Sequence, residues 1–431
     1  MRKCLDARKS VVGGIALALA LTGCAGSGNS GNSSDQTGPR TLTVWLMNGS
    51  APQPLTDALH KEFQETHKDV TVKYEVQQWN GIQDKLTTAL AGNDAPDVIE
   101  IGNTQAPKFA AAKVLTDLTE ASSGFNKDQW LGSLKDSGSW DGKQFAVPFY
   151  AANRLVLYRK DMFEQAGVAA VPTSRQEWLD AISKLRAKFG ADPEFQALYL
   201  PGQNWYTLLS FIYDEGGDIA KRDGTKFTAT LDSAQAKAGL EFYKTLQEAS
   251  GTKAPKDTDE QTPEQAGIFG QGKVAMMIAL PWELATAAKN NPGLTAQTSA
   301  FPIPSKNSGA TAPVFQGGSN LAVPAYSKDQ DLAKDYLKLL SGAKYQSQFA
   351  KAGMIPGTST DVAALEADPV NAAMAKASRN GRAVPATPTW GAIEAGQNPL
   401  KDMLTAYLTG AKTIGVATAD ANSALNKAFA G

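Results

Sequence analysis

Short apolar runs alternate with amphipathic stretches in the part of the chain that follows residue 40. At 70–76 the apolar side chains occupy every second position, which is the period of a strand with one buried face. Leu55, Leu59 and Phe63 recur at helical spacing and predict one apolar helix face. The predicted strands are 41–47, 70–76 and 97–102, and the predicted helices are 55–66 and 81–90. Strands and helices in alternation predict an α/β sheet with helices on both faces.

The middle and the end of the chain are predicted to be more helical. Ser174 is a capping residue with Glu177 three positions later, so a helix should begin there with Trp178 on its buried face. Further helices are predicted at 233–248, 331–340 and 399–408, and further strands at 273–280 and 320–325.

Two extended segments interrupt this pattern. The segment 147–161 carries polar residues inside an apolar run, and 301–324 is rich in Pro and Gly and has no helical period. With a chain of this length, we predict that both segments are connections that cross between two lobes.

The N-terminus has the pattern of a secretory signal. Cationic residues precede an apolar run at 11–21, which is shorter than the about 20 residues that a membrane-spanning helix needs. The sequence Leu21-Thr22-Gly23-Cys24 is similar to the lipobox of bacterial lipoproteins, in which the cysteine is acylated on its sulfur. We therefore predict a lipoprotein signal peptide at 1–23 and lipidation at Cys24. An uncleaved anchor with an incidental cysteine is the alternative.

The segment 24–39 that begins at the predicted lipidation site is rich in Gly, Ser and Asn and lacks an apolar pattern. Such a segment buries too little surface to fold, so we predict a flexible tether. The chain has two cysteines, and Cys4 would leave with the signal peptide. A disulfide is therefore not expected, and stability must come from the core.

The net charge excludes one class of partner. The small number of cysteines and histidines excludes several reactions. The formal net charge is −1 and no basic tract occurs, so we predict no nucleic-acid partner. His60 and His67, both predicted on a solvated helix surface, are seven residues apart, which is not the spacing of a helical zinc site. With no third histidine, triad catalysis is nearly excluded. We predict no metal, no cofactor and no catalytic residue.

Carboxylate pairs are the enzymatic alternative that stays open. Glycoside hydrolysis needs two acidic groups that flank one bond. Five acidic residues lie near segment ends, where clefts form: Asp97, Glu100, Asp214, Glu215 and Glu283. The sequence does not show whether two of them face each other.

Several tryptophans lie at the ends of predicted elements beside small polar residues. They are Trp45, Trp79, Trp205, Trp282 and Trp390. An aromatic face stacks on the C–H face of a pyranose, while neighbouring amides and carboxylates bind its hydroxyl groups. Each of them could instead be a core residue, but their distribution over both halves of the chain favours a sugar-binding cleft.

The order of these motifs resembles one family over the chain from about residue 40 to the end. TLTVWLMN, APDVIEIGNTQ, GKVAMMIALPWEL, FQGGSNLAVP and PTWGAIEAG occur as in family 1 extracellular solute-binding proteins, the lipoprotein receptors of ABC-type sugar importers. Within the family, IEIGNT, NWY and SFIYDEGGDIAKRDG are most similar to the actinobacterial receptors for N-acetylglucosamine and chitobiose. Asn204 stands where the chitobiose type has Asp, so the sugar stays open.

The resemblance implies a two-lobed periplasmic-binding-protein-like fold of type II, with a hinge and the ligand between the lobes. The N-terminal lobe would comprise 40–150 with roughly 316–355 returning to it. The C-terminal lobe would comprise 151–315 with roughly 356–431 returning to it.

The same resemblance implies a set of ligand-binding residues. On the N-terminal lobe and the crossings they would be Asn48, Trp79, Asn103, Tyr150, Gly318 and Ser319. On the C-terminal lobe they would be Asn204, Trp205, Tyr206, Trp282, Glu283 and Trp390.

The function implied is capture of a sugar by lobe closure and its delivery to the permease subunits of an ABC transporter. The protein would be a monomer that is held at the extracytoplasmic face of the cell membrane by its lipid alone. Two other functions stay open: a secreted glycosidase or lyase that uses a carboxylate pair, and a receptor for a non-sugar solute.

Overall fold

The predicted alternation of strands and helices is found in the computed structural model, which describes residues 38–92, 95–359 and 362–430. The strands are β1 Arg40–Met47, β2 Val70–Gln77, β3 Val98–Gly102, β4 Ser139–Trp140, β5 Lys143–Gln144, β6 Ala146–Asn153, β7 Leu155–Arg159, β8 Ala220–Asp223, β9 Lys226–Ala229, β10 Met276–Ala279, β11 Thr298–Phe301, β12 Val314–Ala322, β13 Ile355–Pro356 and β14 Gly381–Arg382. The helices are α1 Gln53–Thr66, α2 Ile82–Ala91, α3 Ala106–Ala111, α4 Gly132–Ser137, α5 Lys160–Gln165, α6 Arg175–Phe189, α7 Trp205–Asp214, α8 Ala234–Ser250, α9 Gln265–Gly270, α10 Glu283–Ala287, α11 Leu294–Gln297, α12 Gln330–Leu340, α13 Ala343–Lys351, α14 Pro369–Ser378, α15 Trp390–Ala395, α16 Pro399–Leu408 and α17 Ile414–Ala430.

Most of the predicted elements are confirmed. Helix α1 buries Leu55, Leu59 and Phe63, the three residues that were predicted to form its apolar face. Helix α6 begins at Ser174, whose hydroxyl accepts the Glu177 backbone N–H at 3.2 Å while the Glu177 carboxylate accepts the Ser174 N–H at 3.2 Å. This capping box satisfies two backbone donors that the first helical turn leaves without partners.

One large sheet has the strand order β13-β6-β12-β3-β1-β2, and β14 pairs with the beginning of β12. Strands β1, β2 and β3 run parallel to one another, and β12 is antiparallel to both β3 and β6. The carboxyl ends of β1, β2 and β3 therefore meet at one edge, where ligands of α/β proteins bind.

A second sheet of three strands has the antiparallel order β10-β7-β11. Strands β6 and β7 are separated only by Arg154, so the chain passes directly from the large sheet to the small one. It returns through the segment between β11 and β12. The two segments that were predicted to be crossings, 147–161 and 301–324, thus connect the two sheets.

The core divides in a similar way. One cluster of buried apolar side chains draws on 42–150 and 321–349 and packs β1, β3, β6 and β12 against α1, α12 and α13. A larger cluster draws on 156–315 and 377–425 and includes helices α6, α7, α8, α16 and α17. A third cluster joins Ala151 and Ile355 to Leu157 and Met277, so apolar packing also connects the two sheets where the chain crosses. The two main clusters agree with a two-lobed fold, and the exact lobe boundaries stay a prediction.

The predicted signal peptide, Cys24 and nearly all of the predicted tether lie outside the described residues. In the described part of the chain, no helix combines the length and the apolar character that crossing a membrane requires.

Candidate functional site

A cavity of about 650 Å³ opens at the carboxyl edge of the large sheet. It is lined by the loop after β1, the loop after β2 and the loop between β10 and α10. Tyr150 of β6 lines it as well, and the turn after α13 closes one side. The volume lies in the range of pockets that bury most of a small organic ligand.

Two tryptophans in this cavity have exposed rings. The side chain of Trp79 is 41% exposed and that of Trp282 is 51% exposed, and the two come from loops that follow strands of different sheets. Hereafter they are called the cavity aromatic pair. A single exposed apolar side chain is ordinary on a protein surface, but two exposed indole rings in one cavity provide faces on which a ring-shaped ligand can stack.

Glu283 holds the loop that presents Trp282. One of its carboxylate oxygens accepts the Leu280 backbone N–H at 2.8 Å, and the other accepts the Gln265 side-chain N–H at 2.8 Å. Burial raises the pKa of Glu283, and its hydrogen bonds with Leu280 and Gln265 oppose the rise. Glu283 was predicted to bind ligand directly. The structure gives it internal partners and does not place it in the cavity lining.

Asn48 and Tyr150, which were predicted to bind ligand, also line the cavity. Behind Tyr150, the hydroxyl group of Ser50 lies 3.2 Å from the Tyr150 hydroxyl group and donates to the Glu100 carboxylate at 2.7 Å. The hydroxyl group of Ser319 donates to the same carboxylate oxygen at 2.6 Å. Ser319, which was predicted to bind ligand, therefore lies one layer behind the cavity.

Gly318 and Asn103 shape the same strand ends without lining the cavity. Gly318 has φ +143°, and a Cβ atom there would lie 2.2 Å from the Tyr150 carbonyl oxygen, so only glycine allows β12 to pack this closely on β6. The Gly318 carbonyl accepts the Asn103 backbone N–H at 3.0 Å, and the Asn103 side-chain amide donates to the Gln316 carbonyl at 3.0 Å.

A second aromatic group lies at the N-terminus of α7. It consists of Trp205, Tyr206, Phe315 and Trp390 and is called the buried aromatic cluster. The Trp205 and Tyr206 ring centroids are 3.9 Å apart, and those of Trp205 and Trp390 are 6.1 Å apart. Trp205 is 2% exposed and Trp390 is fully buried, and neither lines the cavity. A stacking platform needs an exposed ring face, which neither tryptophan has in this structure.

Polar neighbours surround this cluster. The Tyr206 hydroxyl group donates to Glu394, and the Arg154 guanidinium lies 4.0 Å from the centre of the Tyr206 ring and is ion-paired with Glu260. The Asn204 side-chain carbonyl accepts the Thr207 backbone N–H and caps α7. Its side-chain nitrogen and the Trp390 indole N–H have no hydrogen-bond partner among the described residues.

The carboxylates that kept an enzymatic function open are engaged elsewhere. Asp97 accepts the Thr43 backbone N–H at 2.8 Å, and Asp214 forms an ion pair with Arg175. None of the acidic residues in the described ranges lines the cavity. A bond held there would thus lack the flanking acidic pair that glycoside hydrolysis requires.

The histidines do not form a metal site in the described part of the chain, where no group of three or more potential ligands occurs. His60 was predicted to lie on a solvated helix surface, but in the structure it is partly buried. Its ring lies 5.0 Å from that of Tyr74 and hydrogen-bonds to the Tyr336 hydroxyl group at 3.0 Å. Burial lowers the pKa of His60.

Comparison with known proteins identifies the family. The sequence profile of a family described as bacterial extracellular solute-binding protein matches residues 48–347, which is more than half of the chain. The chain belongs to this family. Its members are solute-binding proteins rather than enzymes, in agreement with the lining of the cavity.

Individual relatives support the same assignment. This binding protein is 40% identical over 405 residues to the diacetylchitobiose binding protein DasA of Streptomyces coelicolor, with 93% of each chain covered. The structure of the acarbose-binding GacH receptor of Streptomyces glaucescens matches with a TM-score of 0.75 and 26% identity over 91% of this chain and 98% of that one. The sugar-binding protein MalE of Xanthomonas citri shares the fold, with a TM-score of 0.78 and 20% identity over 90% and 97%.

Part of the cavity wall of this binding protein was missed by sequence reasoning. The lining residues that were not predicted are Gly49, Ala51, Pro52, Pro281, Ala352, Gly353, Met354 and Asn371. Most are small or apolar and carry no chemical signal. Gly49, with φ +82° in the turn after β1, and Gly353, with φ +83° in the turn after α13, are the two whose residue type indicated a turn.

Proposed function

We propose that the protein is the lipid-anchored substrate-binding component of an ABC-type carbohydrate importer. Its ligand would be N-acetylglucosamine, diacetylchitobiose or another short oligosaccharide. The 40% identity to a diacetylchitobiose binding protein over 93% of both chains carries this proposal. The cavity supports it, because two exposed indole rings in one cavity offer faces on which a pyranose can stack.

Binding would couple to movement of the lobes. The cavity aromatic pair takes one ring from the loop after β2 and the other from the loop after β10, so a sugar contacts both only when the walls are close together. A ligand shifts an open–closed equilibrium by its difference in affinity for the two states. The proposed lobes are 40–150 with 316–355 and 151–315 with 356–431, and the membership of the two main buried clusters supports that division.

Two buried residues keep a proposed part in binding. The Asn204 amide nitrogen and the Trp390 indole N–H are buried donors without partners in the described ranges, and each such donor costs about 1–3 kcal/mol. A sugar hydroxyl or acetamido oxygen that reached the buried aromatic cluster would remove this cost. We therefore propose contact with Asn204 and Trp390 through hydrogen bonds rather than through stacking.

A thermal-shift screen of the full mature protein against monosaccharides and oligosaccharides tests the ligand class. A ligand that binds only the folded state stabilises it by about 2.7 kcal/mol at a concentration 100 times its dissociation constant. We expect diacetylchitobiose or a related N-acetylglucosamine oligosaccharide to give the largest rise in Tm. No rise with any sugar would contradict the proposal and favour a non-sugar solute. Products of oligosaccharide cleavage on thin-layer chromatography would favour an enzyme.

The anchor requires its own experiment, because Cys24 lies outside the described residues. Cells that express the full chain are labelled with radioactive palmitate, and a Cys24→Ala variant serves as the control. Label in the protein and its absence from the variant are expected. Equal labelling of both would contradict lipidation at Cys24.

A further inference from the structure

Glu100 of β3 is a fully buried carboxylate that the proposed function leaves unexplained. Its two oxygens accept three hydrogen bonds: one from the Met47 backbone N–H at 2.8 Å and two from the hydroxyl groups of Ser50 and Ser319. Ser50 connects it to Tyr150, which lines the cavity. We propose that Glu100 is a positioning residue whose protonation state decides whether the Tyr150 hydroxyl group offers the cavity a hydrogen-bond donor or an acceptor.

When Glu100 is ionised, the direction of the hydrogen bonds is fixed. A carboxylate can only accept, so the Ser50 hydroxyl hydrogen points at Glu100. Only the oxygen of Ser50 is then left for Tyr150, and the Tyr150 hydroxyl group must donate across the 3.2 Å contact. A ligand in the cavity that Tyr150 lines would then meet the lone pairs of its hydroxyl group, which act as an acceptor.

When Glu100 is protonated, its new hydrogen must be donated to one of the adjacent hydroxyl groups. The carboxylate oxygen that is shared by Ser50 and Ser319 is the one next to Tyr150. If the Ser50 oxygen accepts this hydrogen, the Ser50 hydroxyl hydrogen turns to the Tyr150 oxygen. The Tyr150 hydrogen is thereby released toward the cavity, which receives a donor.

The surroundings of Glu100 make this change accessible near neutral pH. Burial raises the pKa of Glu100 to about 7, and the three hydrogen bonds oppose the rise. The titratable groups that interact with Glu100 are Tyr150 of β6 and Tyr74 of β2, and both have raised pKa values, so both stay protonated. Asp57 and His60 of α1 lie behind Tyr74.

No cation in the described part of the chain forms an ion pair with Glu100. The strands on either side of β3 supply only neutral partners, namely Met47 from β1 and Ser319 from β12. A carboxylate without a cation depends on hydroxyl and amide donors alone, so a change in its charge is transmitted to those hydroxyl groups.

The first experiment needs no ligand, and therefore separates this inference from the proposed function on which it rests. The full mature protein is labelled with tyrosine carrying ¹³C at the ζ carbon, and the Tyr150 signal is assigned with a Tyr150→Phe variant. Between about pH 5 and about pH 9 we expect the signal to move with a midpoint near 7. A Tyr150 signal that does not move, or one that moves equally in a Glu100→Gln variant, would overturn the proposal.

A second variant removes the connection and leaves the carboxylate. Ser50→Ala deletes the hydroxyl group that hydrogen-bonds both Glu100 and Tyr150, and leaves that of Ser319, which also interacts with both. Part of the Tyr150 shift should therefore be lost while the glutamate still titrates, and the whole of it in a Ser50→Ala/Ser319→Ala variant. Circular dichroism establishes that each variant is folded. Because Ser50→Ala keeps Glu100, it remains a decisive test even if Glu100→Gln does not fold.

The effect on binding is measured by calorimetry with diacetylchitobiose at about pH 5.5 and about pH 8.5. Exchange of one hydrogen-bond donor for an acceptor should change the dissociation constant of the wild-type protein roughly 2- to 10-fold and that of Glu100→Gln by less than about 2-fold. Equal affinity of the wild type at both pH values would overturn the link to ligand. Absence of any binding would contradict the proposed ligand instead, and the Tyr150 titration would still decide on the positioning role.

Discussion

Trp282 and Trp390 each lie at the start of a short helix, yet one ring is exposed and the other is buried. Trp282 precedes α10 and is 51% exposed in the cavity, whereas Trp390 begins α15 and is fully buried. The difference lies in what covers each ring. Trp390 packs among Trp205 and Phe429, with ring centroids 6.1 and 6.5 Å away, while Trp282 has no ring contact among the described residues.

The comparison separates two uses of aromatic residues in one protein. The cavity aromatic pair contributes little to the core and is free to contact a ligand. The buried aromatic cluster contributes apolar burial to the folded state and holds the N-terminus of α7 in place. Substitutions in the first group should therefore change affinity with little change in stability, whereas substitutions in the second should lower stability, and at Trp390 affinity as well.

The largest effect is expected for Trp390→Ala. Removal of a fully buried indole ring leaves a cavity and should lower the free energy of unfolding by about 3–5 kcal/mol. Chemical denaturation measures it, and Tyr326→Ala, at a side chain that is 62% exposed and away from the cavity, is the matched control with an expected change within about 0.5 kcal/mol. A loss below about 1 kcal/mol for Trp390→Ala would remove the distinction between the two groups.

Glu100→Gln should give the next largest effect on stability. It extends the comparison of exposed and buried tryptophans to a charged side chain that is buried beside the cavity. Its pKa is raised from 4.5 to about 7 in the folded protein. The unfolded chain therefore releases this proton at lower pH, and wild-type stability is lost as pH rises toward 7. Relative to Glu100→Gln, the wild type should lose roughly 3 kcal/mol between about pH 4.5 and about pH 8. Denaturation of both proteins across this range measures the difference, and parallel curves would contradict it.

Trp282→Ala should act on binding alone. Loss of the more exposed ring of the cavity aromatic pair should weaken binding of diacetylchitobiose about 10- to 100-fold, the range for a central aromatic contact. Calorimetry measures the affinity, and the unfolding free energy should stay within about 0.5 kcal/mol of the wild-type value. Trp282→Phe, which keeps an aromatic face, should recover part of the affinity. Unchanged affinity with a large loss of stability would reverse the assignment.

Trp79→Ala should have the smallest effect. The Trp79 ring lies against Gly102, so part of it is covered by protein, and less of it is exposed than of Trp282. We expect an affinity loss of roughly 3- to 10-fold. If both rings contact one ligand, the loss of binding free energy in the double variant should be no larger than the sum of the losses in the two single variants. A larger effect for Trp79→Ala than for Trp282→Ala would contradict this order.

Regular elements could be predicted because their signals are local. The apolar face of α1 and the capping box at Ser174 were both readable from residue spacing and both are confirmed. The cavity was predicted only in part. Trp79 and Trp282 line it, but the turn at 352–354 was missed, because its small residues are recognisable as a wall only after α13 has packed beside β13.

The succession of strands and helices, the α/β class and the family are readable from the amino-acid sequence, since all three depend on residues that are near one another in the chain or on ordered motifs. The sequence also predicts lipidation at Cys24. Which tryptophans reach the cavity, and the burial of Glu100 behind Tyr150, follow from the packing of distant segments. Exposure and pKa depend on what distant segments place around a side chain, and Glu100 acquires its environment from strands that begin as far apart in sequence as Arg40 and Val314.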